Sequence, residues 1–162
     1  LNDFLDPGGS LYVGPQAREI IPFVAQKIAA FRDRGEVVIF VCDAHAPDDR
    51  EFRYFPPHAV KGSWGSQIIP ELAPALGDLV VEKTRYSPFS HTTLEELLRK
   101  AQVDEVHVVG VCTSICVLEI VKELFDRDIP AVVYRQGVAD FDPEAHAFAL
   151  KQMPRVLGAK VV

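Results

Sequence analysis

The residues best placed for chemistry lie in one short stretch, Gly110-Val111-Cys112-Thr113-Ser114-Ile115-Cys116-Val117. An apolar run through Val106, Val108 and Val109 breaks at Gly110, and helical spacing resumes from Ser114 with Cys116, Val117, Ile120, Val121 and Leu124. That pattern is a strand feeding a helix. A cysteine in the first turn of such a helix faces unpaired backbone N–H groups and the positive end of the helix dipole, both of which favour thiolate. Cys116 is therefore a candidate nucleophile with a depressed pKa, and its own N–H is a candidate donor to an oxyanion. Free cysteine is also among the most buried residue types, so an inert core thiol is the competing reading.

Two further groups of reactive side chains follow strands. The apolar run from Glu36 to Cys42 leads into Asp43-Ala44-His45, then a polar loop, then Phe55-Pro56-Pro57-His58. An Asp and a His two apart on extended chain point to the same side, and a second His on a stiff Pro-Pro approach completes a three-ligand metal site. Two imidazoles and one carboxylate leave positions open for water or substrate. Solvated loop histidines are the competing reading. Glu51 and Asp49 are further candidate ligands. The run Leu79–Glu82 leads into Lys83, whose ammonium near a thiolate lowers the cysteine pKa; otherwise it is a surface lysine. His91, His107 and His146 have no partner at metal-ligand spacing and read as solvated or helix-capping. Cys42 reads as a core thiol and Arg85 as structural.

These residues need a scaffold that gathers strand ends. The pattern predicts a helix over Ala17–Arg34, interrupted at Pro22 and ended by Gly35, then helices over Thr93–Ala101, Ser114–Arg127 and Pro143–Met153. Strands are predicted at Glu36–Cys42, Leu79–Glu82, Glu105–Val111, Ala131–Arg135 and Ala159–Val162. Such alternation specifies an α/β, doubly wound three-layer fold with a mostly parallel central sheet, in which ligands collect outside the carboxyl ends of the strands. A chain of 162 residues with 48% hydrophobic content suits a single domain, residues 1–162. The net charge of −6 without a basic run argues against nucleic acid or an anionic membrane as partner. No apolar run approaches the roughly 20 residues of a membrane span. Three cysteines, an odd number, point to a reducing compartment, the cytoplasm.

Four separated segments occur in a telling order: Asn2-Asp3-Phe4, Asp43-Ala44-His45 with Phe55-Pro56-Pro57-His58, the string from Lys83 to Phe89, and Gly110 to Val117. Together they resemble the isochorismatase-like cysteine hydrolases, the nicotinamidase branch in particular. The resemblance implies that Cys116 is the nucleophile and Lys83 its basic partner, and that Cys112 follows a cis peptide and lends a second amide to the oxyanion hole. It further implies that Asp43, His45 and His58 hold one divalent metal, zinc first, with manganese or iron as alternatives. That metal meets the ring nitrogen of the substrate, while Phe4 and Phe55 pack on the ring; an ordinary core role is the competing reading of Phe4. Asp3 matches the second aspartate of its motif, so the acid of the family falls four positions earlier. A central first strand ending in that aspartate is accordingly expected ahead of Leu1. The implied reaction is hydrolysis of nicotinamide to nicotinate and ammonia, a step of NAD salvage, in a homo-oligomeric enzyme. Alternatives are a metal-free amidase acting on a carbamoyl or ureido substrate, and a non-catalytic binding protein of the same fold.

Overall fold

The computed structural model describes residues 1–162 as strands alternating with helices. Strands β1 (Ile39–Asp43) and β2 (Leu79–Lys83) pair in parallel, with Asp43 opposite Lys83. Strands β3 (Val106–Val111), β4 (Ala131–Ala139) and β5 (Lys160–Val161) form a second parallel set in that order. Helices α1 (Asn2–Leu5), α2 (Pro15–Glu19) and α3 (Ile21–Asp33) precede β1. Helix α4 (Leu94–Lys100) precedes β3, α5 (Leu118–Phe125) follows it, and α6 (Pro143–Val156) joins β4 to β5. The parallel α/β architecture is the one the alternation implies. No helix is long and apolar enough to cross a membrane.

Several boundaries differ from the sequence reading, each for a local reason. The first helix is two helices, because Pro15 and Pro22 each start one at a position where the absent N–H has no intrahelical partner. The chain after Gly110 does not enter an α-helix directly but forms a π-helical turn over Thr113–Val117 before α5. Strand β4 runs four residues past Arg135, through exposed Arg135 and Gln136 to buried Gly137, Val138 and Ala139. A register irregularity between Val108 and Gly110 takes up the extra length. Gly137 is required there, since a Cβ would lie 2.6 Å from Val109 Cγ1.

The main core lies between α5, α6 and the β3–β4 pair, where Val121, Leu124, Val133, Ala149 and Met153 are almost wholly buried. A second cluster, including Phe4, Ile20, Ile21, Val24 and Cys112, packs α1 to α3 against the turn after β3. The first core fixes the base of the turn that carries Cys116 and the second packs on Cys112 and Ile115 of the same segment. The carboxyl ends of β1, β2, β3 and β4 are left to carry polar groups.

Candidate active site

Cys116 sits half-buried in the π-helical turn. Inside that turn, the N–H groups of Ile115 and Val117 both donate to the Cys112 carbonyl, at 3.2 and 3.1 Å. The Ser114 N–H donates to Asp140 Oδ2 at 2.7 Å, so β4 grips the turn from its far side. The Val111–Cys112 peptide is cis. Cys112 itself is buried, and burial raises its pKa.

Parallel pairing of β1 with β2 brings Asp43 and Lys83 to the same end. The Lys83 ammonium, 5% exposed, bonds the Asp43 carboxylate, donates to the Arg85 carbonyl at 3.0 Å and lies 3.4 Å from Cys116 Sγ. Burial opposes its charge, but Asp43 and Cys116 together raise its pKa above the usual lysine value. At Cys116, burial pushes the thiol up to about 11 against the pull of Lys83. This reverses the depression expected of a cysteine in the first turn of an α-helix. The thiol is set in a desolvated wall, and Lys83 is the cation that favours its thiolate.

The loop after β1 builds a second constellation. His45 and His58 are 1% and 2% exposed, and Nε2 of His58 lies 3.7 Å from Glu51 Oε1. His58 Nδ1 is 2.8 Å from the Pro56 carbonyl, which only accepts, so Nδ1 carries the proton and Nε2 presents a lone pair. His45 Nδ1 meets Asp49 Oδ2 at 3.2 Å, which fixes the same tautomer. Burial works against the charge of Asp49, but the Glu51 amide, His45 and Arg85 outweigh it and hold the carboxyl at about 2. Asp49 is thus an orienting group, bonded also to Arg85 Nη1 at 3.1 Å. Burial raises the pKa of Glu51.

His45, Glu51 and His58 together place two nitrogens and one carboxylate oxygen within 4.8 Å of one another. The buried Nε2 of His45 has no hydrogen-bond partner. An orphaned imidazole lone pair beside a second one and a carboxylate fits a divalent cation. The expected trio was Asp43, His45 and His58. His45 and His58 stand together with Glu51, the further candidate ligand, while the Asp43 carboxylate lies 4.0 Å from His45 Nε2 and is bonded by Lys83.

Phe4, Asp43, Glu51, Phe55, His58 and Cys116 share one narrow cleft, with Tyr86 and Phe141 also on its wall. Phe4 and Phe55 both stand edge-on to His58, at centroid distances of 5.4 and 6.3 Å. Asp3 anchors this wall: Oδ2 accepts from Ala59 N at 2.8 Å, next to His58, and Oδ1 accepts from Ser10 N at 3.1 Å. Gly65 leaves room for it, since a Cβ there would fall 1.9 Å from Asp3 Oδ2. The Asp49 and Asp3 anchors carry no spacing signal of their own, because each acts across a loop.

The remaining histidines divide. His91 is exposed, whereas His107 Nδ1 meets Tyr134 Oη at 2.8 Å and His146 Nδ1 meets Thr113 Oγ1 at 2.9 Å. The last two are half-buried and held by side chains, which corrects their reading as solvated or capping groups. Cys42 is buried in β1, and burial pushes its thiol up to about 11.

Comparison with known proteins follows the same lines. The chain is 37% identical to the nicotinamidase PncA from Bacillus subtilis, covering 99% of this chain and 93% of that one with a TM-score of 0.94. It is 34% identical to N-carbamoylsarcosine amidase from Thermoplasma acidophilum, with 99% and 90% covered and a TM-score of 0.90. It is 28% identical to the pyrazinamidase of Pyrococcus horikoshii solved in complex with zinc, with 99% and 93% covered and a TM-score of 0.91. The isochorismatase domain profile matches residues 1–162, and the chain belongs to the isochorismatase family of hydrolases.

Proposed function

We propose that this amidohydrolase uses Cys116 to cleave the carboxamide of nicotinamide, giving nicotinate and ammonia. The observation that carries the reading is the shared cleft: it is lined by Cys116, which has Lys83 at 3.4 Å, by Glu51 and His58 of the grouping that includes His45, and by Phe4 and Phe55. A flat heteroaromatic ring suits the edge between the two phenyl groups, and its carboxamide then faces the thiol. A divalent ion held by His45, Glu51 and His58, zinc first, supplies a Lewis acid for the ring nitrogen. The likeness to a zinc-bound pyrazinamidase supports that assignment. Asp43 is the further ligand the sequence suggests, on the side of the grouping nearest Lys83.

In the acylation step the Cys116 sulfur bonds to the carboxamide carbon, and the carbonyl π electrons move to oxygen. The backbone N–H groups of Cys112 and Cys116 are the proposed donors to that oxygen. The C–N bond then breaks, and the proton lost by the thiol leaves on ammonia. Water cleaves the thioester, returning a proton to sulfur. Lys83 holds the thiolate by charge.

Likeness to an N-carbamoylsarcosine amidase supports a second reading, a carbamoyl substrate. The test is turnover of nicotinamide and of an N-carbamoyl amino acid by the zinc-loaded and the metal-stripped protein. Metal-dependent release of ammonia from nicotinamide, with little from the carbamoyl compound, is expected. Metal-independent cleavage of the carbamoyl compound alone overturns the nicotinamide assignment, and cleavage of neither overturns both.

A further inference from the structure

Away from the cleft, Arg135, Lys151 and Arg155 converge on a second concavity of about 530 Å³, with His146 on its wall and Leu150 and Pro154 as an apolar lining. No carboxylate lines it. None of its three cations has an ion-pair partner, whereas Arg18, Arg32, Lys122 and Arg127 each bond an acidic side chain. On a chain of net charge −6 this is a local reversal of sign, and the field inside a concavity concentrates small anions. Two guanidinium forks and an ammonium suit a phosphate group, which accepts several charge-assisted bonds at once.

The concavity is also wired to the nucleophile turn. His146 reaches Thr113 Oγ1 at 2.9 Å through Nδ1, and its Nε2 has no protein partner. Thr113 is fully buried and is the first residue of the turn that carries Cys116.

We propose that this concavity binds a small phosphate-bearing ligand, a phosphomonoester with a compact apolar body, and that its occupancy is transmitted to Cys116 through His146 and Thr113. A phosphate against Nε2 selects the ring form that carries a proton there. That Nε2–H ring accepts from Thr113 through Nδ1, whereas the Nδ1–H tautomer donates to it. The hydroxyl of Thr113 reorients with that exchange, which is the differential contact that coupling between two sites requires.

The test is calorimetric titration of the full chain with inorganic phosphate, adenosine monophosphate and adenosine, paired with the rate of Cys116 alkylation by iodoacetamide followed by intact mass. Adenosine monophosphate and phosphate are expected to bind one per chain, and adenosine not at all. The double variant Lys151→Glu, Arg155→Glu is expected to weaken binding by at least roughly tenfold while its ligand-free alkylation rate stays at the wild-type value. Adenosine monophosphate should change the alkylation rate at least about twofold in the wild type and leave it unchanged in His146→Gln. Absence of binding, or affinity untouched by the double charge reversal, overturns the site. Binding without any change in alkylation overturns the transmission. Sedimentation in which the double reversal dissolves an oligomer identifies an acidic surface of a second copy as the occupant and overturns the ligand. Neither readout uses carboxamide turnover, so its failure is separable from failure of the nicotinamide assignment.

Discussion

Two regions of this molecule are equally dry and are held together by opposite means. Around Leu124, Met153, Val121 and Val133 the contacts are aliphatic and have no direction. Around His45, His58, Asp49 and Lys83 each buried polar group has a named partner, apart from the one imidazole nitrogen of His45 left open. The aliphatic region stabilises in proportion to the area it buries and tolerates any side chain of suitable volume. The polar region contributes little net stability, because its bonds replace bonds to water, but it fixes tautomers and directions. One region sets whether the chain folds, and the other sets what the folded chain does.

The largest expected separation between them comes from the thiol. Cys116→Ala should lower carboxamide hydrolysis by on the order of 10⁴-fold or more while the thermal midpoint stays within a few degrees of wild type. Cys112→Ala should keep substantial activity, since the proposed contribution of Cys112 is a backbone N–H. Steady-state ammonia release and a thermal melt on both variants check this. Covalent substrate-derived mass on Cys42 or Cys112 would refute the assignment.

The reverse experiment is made in the aliphatic region. Leu124→Ala should cost about 2–5 kcal/mol of unfolding free energy, from lost transfer energy plus the cavity left behind. Below the new midpoint its zinc affinity and its KM should match the wild type. A chemical denaturation curve alongside a zinc titration decides the matter, and a large loss of zinc affinity would join the two regions into one cooperative unit.

An intermediate effect belongs to the second layer of the polar region. Asp49→Asn removes the charge that holds the His45 tautomer and leaves Arg85 unpaired. Zinc affinity should fall by about 10–100-fold, as for other carboxylates behind a ligating histidine, with little change in thermal stability. Unchanged affinity would mean that His45 is oriented by packing alone.

The aliphatic region was largely legible in the sequence. Periodicity located α4, β3, α5 and α6 to within a few residues, because a buried face leaves a repeat in the chain. The places where it failed are informative. The turn at Thr113–Val117 is π-helical, and apolar spacing over five residues does not distinguish that from an α-helical start. Burial of Cys116 raises its pKa against the pull of Lys83, the opposite direction to the one argued from the terminal dipole. In the polar region the ligand types were visible, but the grouping was not. Asp43 and Glu51 are both acidic residues of one segment; the parallel register of β1 with β2 sets Lys83 beside Asp43, and the folded loop brings Glu51 beside the two histidines. Asp3, Asp140 and His146 act over separations of 26 to 56 residues, through hydrogen bonds that leave no pattern in a single chain.

The smallest effect tests whether a polar contact outside the cleft behaves like the aliphatic region or like the site. Asp78, just before β2, accepts from Arg32 of α3 and from the Ala75 amide at 2.7 Å, which ties the first long helix to the start of that strand. The Arg32 guanidinium holds the Asp78 carboxyl below its ordinary value, with burial opposing and the Ala75 amide reinforcing it. The sign follows from linkage. A carboxyl whose pKa is lower folded than unfolded stabilises the fold above the unfolded value, near 3.9, and that contribution fades as pH falls through the folded value. Arg32 is about one-third exposed, so solvent screening keeps the pair to about 1 kcal/mol or less. Asp78→Asn should therefore lower the thermal midpoint slightly at pH 7, with the difference from wild type closing as pH falls from the unfolded value through the lower folded one. Ammonia release and zinc affinity should not move. If Asp78→Asn does change turnover, the α3–β2 tether positions Lys83 from the far end of its strand, and the boundary between scaffold and site lies further from Cys116 than the burial pattern indicates.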